Sequence, residues 1–105
     1  MRLHAGDVVK HFKRKTLSQE EQENTKKYLY IIYDIAEHTE TGEKLVIYHS
    51  LYEPFKLYAR PIDMFMGKVD KEKYPNIKQE YRFELVDVKS VKDKLVIDKG
   101  NRKYK

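Results

Sequence analysis

The sequence predicts a mostly β fold, either a small barrel or a rolled antiparallel sheet of five to six strands with one or two short helical turns. Two segments rich in β-branched and aromatic residues, 28–36 and 44–52, flank a glycine-containing turn, as in a β-hairpin. The other strand-like segments are short, and the helix-forming stretches are brief. With 105 residues, the chain is long enough for one domain with one modest core.

The turn of the predicted hairpin lies within residues 37–43. Gly42 can adopt the positive φ of a three-residue loop that ends in a glycine bulge. In that register Ile35 lies opposite Ile47, whereas a two-residue loop would place Ile35 opposite Tyr48. We expect the bulged form, because the buried face selects the register and this form matches apolar residues.

The remaining elements follow from local patterns. Ser18 followed by Glu21 is a capping box, which begins a short exposed helix. Pro61 suits the first position of a helical turn that extends to Met66. Further short strands are predicted at 7–12, at 57–60, at 81–85, where apolar and polar residues alternate, and at 94–98.

The net charge of +5 comes from the end of the chain. Residues 1–88 carry 15 basic and 15 acidic residues, whereas residues 89–105 carry seven basic and two acidic ones. We therefore expect a single β-barrel domain over 1–88 and a basic C-terminal extension over 89–105, which adds one strand before it frays. Such a tail either solvates the end of the chain or attracts polyanions such as nucleic acid by counterion release.

The composition also limits the function classes. Cysteine is absent, which excludes disulfides, thiolate metal sites and a cysteine nucleophile. The longest apolar run, residues 28–33, is far shorter than the roughly 20 residues that span a bilayer. The first seven residues contain no apolar stretch of signal-peptide length. The sequence thus predicts a cytoplasmic protein with no membrane association, and it indicates no cofactor.

Several motifs resemble a family of small bacterial proteins catalogued as domain of unknown function 1653. The similarity runs from about Gly6 to Val86, and it implies an SH3-like β-barrel without implying any activity. The Glu53-Pro54 turn departs from the glycine-containing turn expected there, and the basic extension lies beyond the family pattern. The motifs that carry the resemblance are Gly6, His11-Phe12-Lys13, residues 36–43, residues 59–65 and Tyr81-Arg82-Phe83.

The hairpin loop contains one candidate cluster, with His38, Glu40 and Glu43 close together in the sequence. A histidine with carboxylates could hold a divalent cation or act as acid and base. Alternatively, these are ordinary polar residues of a loop, and the threonines cap the turn through local hydrogen bonds. Their spacing matches no metal-binding motif, so we predict no metal site.

Arg60 is the second candidate, because it lies among apolar residues and is costly to bury without a partner. It either locks the turn by pairing with Asp63, Glu37 or a backbone carbonyl, or contacts an anion at the rim of a pocket. We expect any site to lie between the 37–43 loop and the Arg60-Pro61 turn. The candidate ligand contacts are Arg60, His38, Glu40, Tyr48, Tyr58, Met64, Phe65 and His11.

Tyrosines concentrated on three adjacent strands are the third observation. They resemble a stacking platform for bases or a peptide groove, but tyrosine also suits ordinary half-buried strand positions. A nucleophile–base pair and a phosphate-binding glycine loop are both missing from the sequence. The leading hypothesis is therefore a non-catalytic module that binds a partner protein or small ligand. The alternatives are an RNA-binding barrel that uses tyrosines and the tail, and a small enzyme with an acid–base His38 or Glu40.

Overall fold

The computed structural model describes residues 2–86, which form one five-stranded antiparallel sheet in the order β4-β3-β2-β1-β5. This confirms the predicted mostly β class, and five strands fall within the expected number. The strand predicted at 94–98 and the extension 89–105 lie outside the described residues. The strands are β1 (Val8–His11), β2 (Leu29–Glu37), β3 (Lys44–Ser50), β4 (Leu57–Pro61) and β5 (Phe83–Leu85).

The helices are short, as the sequence predicts. A 3₁₀ helix (Phe12–Thr16) and helix α1 (Gln19–Asn24) join β1 to β2, and helix α2 (Ile62–Phe65) follows β4. The Ser18 hydroxyl accepts the Glu21 N–H at 3.1 Å, and the Glu21 carboxylate accepts the Ser18 N–H at 2.8 Å, which completes the capping box. Within residues 2–86, no helix is long and apolar enough to cross a membrane.

A buried arginine anchors the polar segment that contains α1. The Arg14 side chain is 8% exposed and donates hydrogen bonds to the backbone carbonyls of Lys27, at 2.7 Å, and Gln22. Hydrogen bonds from a charged donor stabilise more than neutral ones. Because α1 itself buries no residue, these bonds from Arg14 are what tie the segment to the preceding 3₁₀ helix.

The hairpin between β2 and β3 has a longer loop than expected. Four residues, 39–42, separate His38 from Glu43, and the His38 N–H donates to the Glu43 carbonyl at 2.7 Å. Gly42 has a φ of 75°, so the predicted positive φ is present. The predicted register is wrong, because Ile35 pairs with Val46 rather than with Ile47.

A β-bulge in β2 changes the register again. The pairing shifts between Ile32 and Asp34, so that Ile32 lies opposite Tyr48. The bulge places Tyr33, which is 66% exposed, and Asp34 on the outside, while Ile32 and Ile35 both reach the inner face. Burial of two isoleucines therefore determines the register that the loop alone did not specify.

The core lies on the inner face of the sheet and is largely aromatic. Helix α2 contributes Phe65, whose ring stacks parallel to that of Phe83 with 4.1 Å between the ring centres. The Tyr48 ring contacts both, at 5.1 Å and 5.7 Å. Phe83 belongs to β5 at one edge of the sheet, and Arg60 of β4 at the other edge also reaches its ring. The sheet is thus rolled, and its two edge strands approach each other over the core without pairing.

Candidate functional site

The structure separates the eight predicted contact residues into two groups. Five of them belong to the inner face or to its core. Three lie elsewhere, and of these Met64 is 51% exposed on α2 while the other two belong to the hairpin loop. The five on the inner face are His11, Tyr48, Tyr58, Arg60 and Phe65.

The loop residues take part in local hydrogen bonds. The His38 Nδ1 atom accepts the backbone N–H of Glu40 at 3.1 Å and that of Thr41 at 3.3 Å. The Thr41 hydroxyl in turn accepts the Glu43 N–H at 3.1 Å. This geometry fits the capping interpretation of the loop. Among residues 2–86, no three or more His, Asp or Glu side chains are grouped so that they could hold a metal ion.

Arg60 is a charged residue on the inner face, contributed by the edge strand β4. Its side chain is half-buried, and its Cζ lies 6.0 Å from the centre of the Phe83 ring. No carboxylate of the described residues lies within 4.0 Å of the guanidinium. Glu37, one of the partners that the sequence suggested, pairs instead with Lys44 at 3.6 Å. We call Arg60, Phe83, His11, Tyr48 and Tyr58 the Arg60 site.

His11 approaches Phe83 from β1, its neighbour in the sheet. The two rings are perpendicular, at 81°, with 5.0 Å between their centres. The His11 Nδ1 accepts the Lys13 N–H at 3.1 Å, so the proton of the neutral ring is on Nε2. Burial lowers the pKa of His11 to about 4, and the nearby charges of Lys13, Arg60 and Arg82 act in the same direction. At neutral pH the ring is therefore an uncharged hydrogen-bond donor.

The tyrosines form an edge-to-face cluster. Tyr30 lies 5.5 Å from Tyr48 and 6.4 Å from Tyr58 between ring centres, and its hydroxyl is 2.6 Å from that of Tyr52. Burial raises the pKa of Tyr30, and the hydrogen bond to Tyr52 raises it further. Burial also raises the pKa of Tyr48, against the opposing charge of Arg60. These hydroxyls stay protonated at neutral pH and can donate hydrogen bonds.

The tyrosines had two interpretations, a stacking surface for a ligand and ordinary packing within the sheet, and different members of the cluster fit different ones. Tyr48 is 4% exposed and Phe65 is fully buried, so both are core residues that support the site from below. Tyr52 and Tyr58 are half-buried and retain exposed edges. Packing within the core therefore accounts for Tyr48, whereas the outer tyrosines can contact a ligand.

A cavity at the β5 edge contains none of the predicted residues. It has a volume of about 430 Å³ and a mostly apolar lining. Alternation in 81–85 predicts the strand, but it also predicts that Tyr81 and Leu85 face inwards, whereas they are 39% and 46% exposed. No sequence signal marks this cavity, because its walls come from two separate parts of the chain. The lining residues are Met66, Tyr81, Phe83, Glu84 and Leu85.

Comparison with known proteins identifies the family but not the activity. A family model described as a protein of unknown function, DUF1653, matches residues 7–85, which is most of the chain and confirms the resemblance in the sequence motifs. Neither a curated protein nor a solved structure shows a significant match. The chain belongs to the DUF1653 family of proteins of unknown function.

Proposed function

We propose that this protein is a non-catalytic binding module whose ligand, a small molecule or a segment of a partner protein, contacts the Arg60 site. The observation that carries the proposal is the half-buried guanidinium of Arg60, which has no described carboxylate within 4.0 Å. A partly buried charge without an ionic partner is costly, and the neighbours of the guanidinium here are the neutral Tyr48 hydroxyl and the Phe83 ring. A ligand that supplies the missing acceptors offsets this cost, and the half-buried Tyr58, on the same face of β4 as Arg60, offers it apolar contact area.

The chemistry of the neighbouring groups supports binding rather than catalysis. A general base works best with a pKa near the working pH, whereas burial lowers the pKa of His11 to about 4. The buried hydroxyl of Ser50 donates to the Tyr52 carbonyl at 2.9 Å and accepts the Lys56 N–H at 3.1 Å. It is thus engaged by the turn after β3 and is not activated by a base.

The proposal also covers the type of barrel and the source and cellular location of the protein. The rolled five-stranded sheet supports an SH3-like barrel, and the family resemblance favours a bacterial protein. A cytoplasmic location, which the short apolar runs of the sequence favour, is part of the same proposal. The nucleic-acid alternative depends on the seven basic residues of 89–105, which lie outside the described residues.

The stability of two arginine variants tests the proposal. Arg60→Gln removes a charge that lacks an ionic partner, so we expect the free energy of unfolding to change by less than about 1 kcal/mol. Arg14→Gln is the matched control, since it removes a buried arginine that donates to two carbonyls, and we expect a loss of about 2 kcal/mol. If Arg60→Gln destabilises the protein as much as Arg14→Gln does, Arg60 is structural and the proposal is wrong.

Ligand discovery then uses a thermal-shift screen of nucleotides, metabolites, peptides and short RNA against the wild type and Arg60→Gln. A ligand that binds only the folded protein at 100 times its Kd raises the free energy of unfolding by about 2.7 kcal/mol. We expect hits that stabilise the wild type and not the variant. Hits that stabilise both proteins equally would place the binding surface away from Arg60.

A further inference from the structure

The hydrogen-bonding groups around Phe83 are mostly donors. The His11 ring centre and the Arg60 Cζ both lie within 6.0 Å of the centre of the Phe83 ring, one contributed by β1 and the other by β4. Arg82, which precedes Phe83, lies close enough to His11 to lower its pKa as well. Its Nη1 donates to the Met64 carbonyl at 3.3 Å, which holds it over Gly67. One guanidinium group, that of Arg60, and one neutral imidazole therefore contact a single aromatic ring, and the charge of Arg82 lies near the imidazole.

The ion pairs found among the described residues involve neither Arg60 nor His11. Glu80 lies 3.4 Å from Lys68, and Asp7 lies 3.7 Å from His4. Glu84 lines the neighbouring cavity, and in the antiparallel register it lies opposite Lys10. Within the described part of the chain, positive charge at the Arg60 site is left without a balancing carboxylate.

We infer that the ligand carries an oxyanion, a phosphate or a carboxylate, and that Arg60 binds this group with the Nε2–H of His11 as a second donor. The inference rests on the proposed function and adds the chemical class of the ligand. The planar guanidinium presents paired N–H groups whose spacing matches the two oxygens of a carboxylate or phosphate. A neutral ligand could accept hydrogen bonds but would leave the charge of Arg60 uncompensated.

The hydrogen bond at Nδ1 of His11 keeps the ring proton on Nε2, so that Nε2–H is available as the second donor. Because Lys13 donates its backbone N–H to Nδ1, the neutral ring cannot turn its acceptor nitrogen towards the anion without losing that bond. A histidine with the opposite tautomer would repel an oxyanion. The backbone at the start of the 3₁₀ helix thus selects the tautomer that an oxyanion requires.

Four small probes test the inference by NMR on the full chain. Inorganic phosphate, phenyl phosphate, benzoate and neutral benzyl alcohol are titrated to millimolar concentration, while the Arg60 Nε–H and His11 ring resonances are followed. We expect saturable shifts of both residues with the anions and none with benzyl alcohol. The phosphates and benzoate distinguish a phosphate ligand from a carboxylate ligand by their relative affinities.

Three variants assign the binding to the two donors. Arg60→Gln should lower the affinity for the tightest-binding anion about tenfold. His11→Asn keeps an acceptor for the Lys13 N–H but lacks the Nε2–H. It should lower the affinity for the same anion about threefold to tenfold. Lys68→Gln, which removes an exposed cation paired with Glu80, should leave the affinity unchanged.

The outcomes separate the two proposals. If benzyl alcohol shifts the site resonances and no anion does, the oxyanion inference is wrong while the binding module stands. Anion affinity that survives in Arg60→Gln, or the absence of any saturable anion shift, also overturns the inference. The binding-module proposal falls separately, if Arg60→Gln unfolds as readily as Arg14→Gln.

Discussion

The depressed pKa of His11 should make the folded state sensitive to mild acid. In the unfolded chain the ring titrates near 6.5, whereas burial lowers its pKa to about 4 in the fold. Below pH 6.5 the unfolded chain therefore binds a proton that the folded protein excludes, and the stability falls as the pH decreases towards 4. For a fully buried ring, the free energy of unfolding would fall by about 3 kcal/mol over this range. Because the ring is partly exposed, we expect a loss of about 1–2 kcal/mol.

Urea unfolding at several pH values between neutrality and the His11 pKa measures this loss. Other groups also titrate in this range, so the informative quantity is the difference between the wild type and His11→Asn. Asparagine does not titrate, and its side-chain oxygen can accept the Lys13 N–H that His11 Nδ1 accepts at 3.1 Å. We expect the stability of the wild type to fall more steeply with acid than that of the variant, by about 1–2 kcal/mol over the range.

A second histidine variant provides the control. His38 accepts the backbone N–H two residues ahead at 3.1 Å, as His11 does, but it lies in the hairpin loop far from the core. His38→Asn should keep the pH dependence of the wild type. The account of His11 is refuted if its variant and the wild type lose stability in parallel, or if His38→Asn flattens the profile to the same extent.

Further predictions concern the fold and the C-terminal extension. Gly42→Ala should cost about 1–2 kcal/mol in urea unfolding, purely through its φ of 75°, since no atom lies within 4 Å of the added methyl group; an unchanged midpoint would contradict this. Ser18→Ala removes the capping box and should cost about 1 kcal/mol by the same assay. Phe83→Ala should cost about 3–5 kcal/mol, and a loss under 1 kcal/mol would contradict its central packing. If the protein binds RNA through residues 89–105, filter binding should weaken steeply with salt and disappear on their removal, whereas salt-insensitive binding would dismiss that alternative.

The elements of this fold were predictable where one short segment determines them. The capping box at Ser18 and the positive φ of Gly42 both depend on neighbours within three or four residues. Strands β2 and β3 were evident because β-branched and aromatic residues dominate both. Each of these features has its cause within a segment that the sequence displays directly.

The register of the hairpin was not predictable from its turn. A one-residue difference in loop length and a bulge at Tyr33 together shift the pairing that apolar matching suggested. The bulge is favourable because it buries both Ile32 and Ile35 against a core to which α2 and β5 contribute. Matching the two strands in isolation could not include those distant contributions, so the sequence favoured a regular ladder.

The residues around Arg60 were not predictable either, again because parts of the chain distant in the sequence contribute them. Arg60 was identified as a costly charge, but its expected surroundings were the 37–43 loop and the turn beside Pro61. The pairing of β3 with β4 does bring Pro61 opposite Leu45, near that loop. Side chains alternate along a strand, however, so Arg60 faces the opposite side of the sheet, where rolling brings β5 and β1 beneath it. The same alternation that turns Arg60 away from the loop carboxylates directs its guanidinium towards Phe83, a contact that no comparison of neighbouring strands in the sequence could include.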